Sequence, residues 1–277
     1  MLSIAIINYK NPPLLRLCLS SLKRVLPPDF KSEIMVIDIS SSPETRNTVK
    51  EFSEVRTLPF KANIGYTKGV NEGIKAASGD YILVLNPDVV PMSGSIEKLV
   101  SYLADNNQTG IVGPRLLNFD GSVQNSCFRY YTPLTILCRR SPLGKTPFGK
   151  KVLRKFMMAD INLNNPTEVQ WLMGSAIMVS KKAITKVGLM DERFFLYMSD
   201  VDWARRFWEN GFKVMYYPGP EMYHYHQRES KGNLGLFDAI LNKQSRLHIV
   251  DAIRYFRKYG IAKGTKHRNQ STNKTQT

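Results

Sequence analysis

Three groups of polar residues in the first third of this chain each follow a run of apolar ones. Asn8 and Tyr9 follow Leu2 to Ile7, Asp38 follows Ile34 to Ile37, and Asn86-Pro87-Asp88 follows Tyr81 to Leu85. If the runs are strands of one parallel sheet, the three groups converge on the crevice beyond the carboxyl ends, where such sheets bind ligands. Each group alone also reads as a helix cap or turn, which Asn, Asp and Pro favour. Their convergence is what gives them weight. A lone carboxylate such as Asp88 at a strand end suits Mg2+ or Mn2+ held against a diphosphate. Hard cations of this kind take one or two protein carboxylates and complete their shell with phosphate oxygens and water. A metal there neutralises charge building on a departing diphosphate.

A second set lies further along. Asp200 and Asp202 open a helix behind the aromatic run Phe194-Phe195-Leu196-Tyr197. Carboxylates in a first helical turn are favoured by the helix dipole, so capping is one reading. Apolar walls that raise a carboxylate pKa toward that of a general base are the other. His224 and His226, two apart in Tyr223-His224-Tyr225-His226, share one face of a strand. A metal or phosphate contact and a buried structural role both fit them.

The elements needed to position these residues are legible in outline. Up to residue 115, strand-like and helix-like patterns alternate: strands at 2–8, 33–38, 55–58, 81–85 and 111–113, helices at 13–26, from Ser42, at 65–77 and at 94–106. That alternation predicts a mostly parallel sheet with helices on both faces. The second half is less regular. Asp120-Gly121 predicts a hairpin turn, 139–155 has loop composition, and 169–180 and 213–217 read as strands. A helix is predicted over 199–210, and a long basic amphipathic helix over 234–259, before a polar tail read as disordered. The strand-one turn Asn8-Tyr9-Lys10-Asn11 is not G-x-G-x-x-G and no Walker A loop occurs, which disfavours NAD, FAD and P-loop chemistry. Asn63-Ile64-Gly65 and Gly69-Val70-Asn71-Glu72-Gly73 carry glycines but match neither pattern.

Together these stretches resemble glycosyltransferase family 2, in its bacterial rhamnosyltransferase-like branch. The matching segments are IAIINYKN, MVIDISSS, ANIGYTKGVNEGIKAASGDYILVLNPDVV, WLMGSAIMVSKKA, VGLMDERFFLYMSDVDWARRFWENGFKV and YYPGPEMYHYHQRES, spanning roughly residues 3–230 in the family's order. The resemblance implies the α/β GT-A fold: a mostly parallel, Rossmann-like central sheet flanked by helices, with a smaller acceptor-side subregion. It implies inverting transfer of a sugar from a nucleotide-diphosphate donor, dTDP- or UDP-linked. Asn8, Tyr9 and Asp38 are implied to hold the base and ribose, with Asn63, Gly65, Asn71 and Asn86 lining the donor pocket. Gly174 is implied where backbone approaches donor and acceptor closely. Asp88 stands at the family's DxD motif as the implied ligand for Mg2+ or Mn2+, His224 matches the histidine that can complete that site, and Asp200 is the implied catalytic base. Two positions depart from the family pattern: Ile39 stands where Asn is frequent, and Ser199 replaces the Glu before the base.

The 277 residues carry 39 Lys and Arg against 23 Asp and Glu, a net charge of +16. Such a balance favours polyanionic partners. The expected acceptor is a glycan or a polyprenyl-diphosphate-linked sugar, as in cell-surface polysaccharide synthesis. Segments 139–155 and 234–259 are both basic; the C-terminal helix is expected either to lie peripherally on an anionic membrane or to present a solvated positive face. No apolar run reaches the length of a membrane span, and MLSIAIINYKN reads as a strand rather than a signal peptide. With three cysteines and no CxxC pair, the expected location is the cytoplasm, at or near the inner face of the cell membrane. A nucleic-acid-binding protein is the rival reading, but no recognised motif supports it. A catalytically silent sugar-nucleotide binder is another, prompted by Ser199. The expected organisation is one catalytic domain over 1–235, with donor half 1–115 and acceptor half 116–235, followed by a basic extension over 236–277.

Overall fold

The computed structural model describes residues 1–225 and 243–260. His226, residues 234–242 of the expected basic helix, and the tail after Gly260 lie outside the described residues.

The first half builds β1 (Leu2–Asn8), α1 (Pro12–Val25), β2 (Ser32–Asp38), α2 (Pro43–Lys50), β3 (Val55–Pro59), α3 (Tyr66–Ala76), β4 (Tyr81–Leu85), β5 (Val89–Pro91), α4 (Ser95–Asp105) and β6 (Thr109–Leu117). The second half adds β7 (Val123–Gln124), β8 (Cys127–Phe128), α5 (Pro133–Arg140), α6 (Pro147–Phe156), β9 (Thr167–Glu168), β10 (Trp171–Leu172), β11 (Ala176–Ser180), α7 (Lys181–Val187), α8 (Ser199–Glu209), β12 (Lys213–His224) and α9 (Lys243–Tyr259).

The main sheet runs β3-β2-β1-β4-β11-β6-β12-β5, with β7 on β6 and β9 on β12. Strands β3, β2, β1 and β4 are parallel, in the register Asn8↔Asp38 and Ile6↔Leu85. β11 is antiparallel between β4 and β6, and β12 returns parallel to β6. Both faces are covered, as the alternation of strands and helices predicts. Along β1, Leu2, Ile4 and Ile6 join α1, α2 and α4 in one core, while Ala5 and Ile7 join α3, α7, α8 and α9 in the other. A strand buried on both faces reads as a continuous apolar run for this reason. The Asn118–Ser122 turn joins β6 to β7 as an antiparallel hairpin.

The loop expected over 139–155 is instead the end of α5, a short 3-10 turn (Pro142–Lys145) and α6. The prolines are helix starters here. Thr132 caps α5 by accepting from the Thr135 N–H with Pro133 behind it, and Thr146 caps α6 through the Gly149 N–H with Pro147 behind it. Asn11-Pro12 and Ser42-Pro43 start α1 and α2 in the same way. A capping oxygen supplies a partner for an orphan N–H, and Pro in the first turn loses no intrahelical bond.

α9 packs on the domain rather than standing clear of it. Ala252 and Tyr255 are buried in the α3/α8 core, Lys258 Nζ pairs with Asp202 at 2.6 Å, and Arg254 donates to the Arg193 carbonyl at 2.6 Å. Part of the positive charge expected on a solvated or lipid-facing helix is thus spent inside the fold.

Candidate active site

Strand direction explains how the site is assembled. Because β11 runs against β4, its start meets the end of β4: Ala176 lies opposite Leu85. The lead-in residues Gly174 and Ser175 therefore fall beside Asn86, whose N–H donates to the Ser175 carbonyl at 2.8 Å. β5 likewise runs against β12, so Val89 lies opposite His224 and the Tyr225 N–H reaches the Asp88 carbonyl at 2.9 Å. Two antiparallel neighbours thus bring chain from the second half to the carboxyl ends of the parallel strands.

Asp200 sits in the first turn of α8, behind Met198, a non-glycine residue at φ 63. Left-handed backbone of this kind costs roughly 1–3 kcal/mol and gathers at functional sites. One Asp200 oxygen accepts from the Gly174 N–H at 3.2 Å and the other from the Val201 N–H at 2.9 Å. Those bonds favour the carboxylate, as does the helix N-terminus. Burial acts the other way and wins: desolvation lifts Asp200 from 3.8 to about 6. Asp202, one residue past Val201, has a different task. Fully buried, it accepts from Arg206, Lys258 and Tyr259.

Gly174 is the junction. Its N–H holds Asp200, and its carbonyl accepts from the Tyr66 hydroxyl at 2.6 Å. A Cβ there would meet the Tyr66 oxygen at 2.7 Å and Asp200 Cβ at 3.5 Å. Burial and the nearby Asp200 charge push the Tyr66 phenol upward, so it stays a hydrogen donor. A path of single contacts thus runs from the carboxylate of Asp200 through Gly174 and Ser175 to Asn86 and on to Asp88.

Asp88 and His224 form a pair, with Oδ1 and Nε2 3.6 Å apart. His224 Nδ1 lies 2.5 Å from Gln124 Oε1, an acceptor, which assigns the ring proton to Nδ1 and the lone pair to Nε2. A ligating histidine is commonly oriented by a second hydrogen bond of this sort. The residues present fit a divalent ion that draws its remaining ligands from diphosphate and water. Among the described residues no cluster of three or more His, Cys, Asp or Glu exists to form a closed cage.

On the donor side, Asn8 and Asp38 are fully buried and bonded to each other, with Asn8 Nδ2 also donating to Thr45 Oγ1 at 3.0 Å and Asp38 accepting from the Ser42 N–H at 3.3 Å. Desolvation raises the Asp38 pKa against the bonds from Ser42, Asn8 and Ser40. Asn8 Oδ1 is buried without a partner, a lapse that native interiors rarely leave. A cleft of about 550 Å3 is lined by Lys10, Pro12, Ser40, Ser41, Ser42, Pro43 and Glu44, and Ser42 is the lining residue whose N–H bonds Asp38. A smaller cavity of about 160 Å3 lies beside Gln124, reaching Arg115, Ser126 and Tyr216.

Other expected residues have structural partners of their own. Asn71 is committed to structure: its amide nitrogen donates to Met190 O and Glu192 Oε1, and its oxygen accepts from the Met190 N–H. That clamp ties α3 to the loop before α8 and occupies both amide hydrogens of Asn71. Asn63 turns back to accept from the Gly65 N–H. Gly65, at φ 82, packs where a Cβ would strike the Phe195 carbonyl. Tyr9 is exposed, with Lys10 Nζ 5.7 Å from its ring centre. Sequence reasoning missed Tyr66, Gln124 and Asp251. Asp251, fully buried on α9, accepts from three consecutive N–H groups, of Phe195, Leu196 and Tyr197, at 3.0–3.4 Å. No local pattern marks any of the three.

A model of glycosyl transferase family 2 matches residues 3–161. An N-acetylglucosaminyl-diphospho-decaprenol L-rhamnosyltransferase of Mycobacterium tuberculosis is 31% identical over 246 residues, covering 84% of this chain and 78% of its own length. The low-salt glycan biosynthesis hexosyltransferase Agl10 of Haloferax volcanii is 28% identical, over 74% of this chain and 61% of its own. Among solved structures, GalNAc-T7 with UDP, GalNAc and Mn2+ superposes with a TM-score of 0.64 at 18% identity, over 82% of this chain. This chain spans 44% of the length of that one. The shared architecture is the GT-A-like fold that the family resemblance implies. The chain belongs to glycosyl transferase family 2.

Proposed function

We propose that this protein is an inverting, metal-dependent glycosyltransferase that moves a hexose from a nucleoside-diphosphate donor to an acceptor hydroxyl in polysaccharide synthesis. Several relatives' printed names point to rhamnose as the sugar, and one points to a polyprenyl-diphosphate-linked acceptor. The first 115 residues hold the donor and the following ones the acceptor. The observation that carries this reading is the Asp200–Gly174–Ser175–Asn86 connection, which joins a carboxylate raised to about 6 with the strand end bearing Asp88.

The base and ribose enter the cleft over Asn8 and Asp38, with Lys10 at its mouth contributing positive charge. Asp88 and His224 are the groups that hold Mg2+ or Mn2+. Bound there, the ion offsets charge on the leaving diphosphate. Asp200 accepts the proton of the acceptor hydroxyl, and the freed oxygen attacks the anomeric carbon opposite the diphosphate. One displacement at that carbon inverts its configuration. A base near pKa 6 is ionised at neutral pH yet basic enough to draw a proton in the transition state.

Thermal-shift screening of dTDP- and UDP-sugars, each with Mn2+ and with EDTA, tests the donor half, because only a bound ligand raises the melting temperature. A metal-dependent rise with one nucleotide-sugar is expected. No rise with any of them refutes the reading, as does product with retained anomeric configuration.

A further inference from the structure

The basic charge is concentrated where the fold also exposes apolar side chains. Between Asp120 and Asp160 there is no acidic residue, and Arg139, Arg140, Lys145, Lys150, Lys151, Arg154 and Lys155 fall on or between α5 and α6. In the same unit Leu134 and Leu137, one turn apart on α5, are 39% and 45% exposed, and Phe148 at the start of α6 is 56% exposed. The unit is firm. Gly144 and Gly149 sit so close to the backbone of Cys138 and Leu143 that a Cβ at either would overlap it. Its inner side is anchored by Phe156, whose ring packs against Phe128, Tyr131 and Trp171.

We propose that the outer side of the α5–α6 hairpin docks on an anionic lipid bilayer, with Leu134, Leu137 and Phe148 entering the interface and the surrounding lysines and arginines meeting the headgroups. Long basic side chains bury their stems while keeping the charge at the surface, and an apolar stripe between them is the pattern of an interfacial helix. Each basic residue near an anionic leaflet adds attraction that salt screens. A second copy of this chain would bring two like-charged faces together. A nucleic acid would use the cations but give no reason for exposed Leu and Phe.

The position suits a lipid-linked acceptor. Trp171, under the hairpin, opens the segment that reaches Gly174 and hence Asp200. The ring of His248 on α9 lies tilted against that of Tyr197, with centres 4.7 Å apart, three residues before Asp200. The C-terminal helix remains a separate expectation, with part of its charge already paired. Lys258 and Arg254 of α9 are engaged by Asp202 and Asp251.

The inference rests on the transferase reading for its purpose, not for its evidence. The full chain is sedimented with vesicles of phosphatidylcholine alone or mixed with phosphatidylglycerol, without donor or acceptor. Binding to the mixed vesicles only, weakened by salt, is expected. It should fall at least about tenfold in a Leu134→Ser, Leu137→Ser, Phe148→Ser variant and in a Lys150→Glu, Lys151→Glu variant, with both melting temperatures unchanged. Absent binding by the wild-type chain overturns the proposal. So does a serine variant that binds like wild type, or a preference for duplex DNA over the mixed vesicles. Transfer to a water-soluble acceptor is measured separately, so a failed transferase reading and a failed docking surface give different results.

Discussion

Replacing Asp200 by Asn should abolish transfer and at the same time stabilise the protein. The sign follows from the direction of the pKa. Asp200 is raised from 3.8 to about 6 by burial, so the folded state holds its proton more tightly than the unfolded state. Below pH 4 the carboxyl is protonated in both states and contributes no penalty. Between about pH 4 and 6 the folded state binds more protons and stability falls as pH rises; above 6 the full penalty persists. At about 1.4 kcal/mol per pH unit the ceiling is about 3 kcal/mol. The amide recovers less. Its Nδ2 cannot accept, so either the Gly174 or the Val201 N–H loses a partner, at a cost of about 1–2 kcal/mol. The expected net gain is about 1–2 kcal/mol at pH 8, shrinking to nothing or reversing at pH 4. Denaturant titration of both proteins at the two pH values measures it, alongside single-turnover transfer. Wild-type transfer should rise with pH to a midpoint near 6. An Asn variant less stable than wild type at pH 8 would remove desolvation as the cause of the raised pKa. An active Asn variant would remove Asp200 as the base.

Three other substitutions probe the same assembly. Gly174→Ala places a methyl 2.7 Å from the Tyr66 oxygen and should lower kcat at least about tenfold with donor-induced thermal shift retained, since about 1.4 kcal/mol of misplacement costs that factor. Asp251→Asn leaves three N–H groups of the 195–197 segment with a weaker acceptor; about 2 kcal/mol of stability should go, with kcat falling and donor KM unchanged, whereas a shared fall in donor affinity would deny it a positioning role. Ser199→Ala removes a buried hydroxyl that has no partner, so stability should hold or rise by about 1 kcal/mol and the pH midpoint of transfer should stay near 6; a shift of the midpoint would mean that Ser199 helps to set it.

Legibility in the sequence followed the range of the interaction. The strands β1, β2 and β4 were legible because burial on both faces demands unbroken apolar runs, and their ends marked Asn8, Asp38 and Asp88 as converging. The direction of the Asp200 pKa shift was the expected one, and its cause is burial. What failed was local punctuation with two meanings. Thr132-Pro133 and Thr146-Pro147 read as loop breakers, but a capping hydroxyl before Pro also starts a helix, and only packing against Phe128 and Trp171 decides between them. Asn71 looked like a pocket residue in a glycine-bearing stretch. Its partners, Met190 and Glu192, lie some 120 residues away, so no pattern near it could show that its amide was already engaged. The Asp251 clamp and the Gln124–His224 contact are of the same kind.

On the proposed reading Asp200 acts as base without the acidic neighbour that the family pattern places before it, Ser199 standing there instead. A carboxylate beside Asp200 would raise its pKa by repulsion and would itself need a partner. Here the neighbouring side chain is a fully buried hydroxyl, and no neighbouring charge contributes to the raised Asp200 value: desolvation raises it, opposed by three backbone hydrogen bonds. α9 holds the backbone of residues 195–197 through Asp251 and bonds Asp202 of α8 through Lys258, so the segment leading into Asp200 and the helix that carries it are tied to a helix more than forty residues further along the chain. A base tuned by packing rather than by a second charge should respond to whatever loosens that packing. Perturbing α9 should therefore move the pH midpoint of transfer downward toward that of an ordinary aspartate before it unfolds the protein.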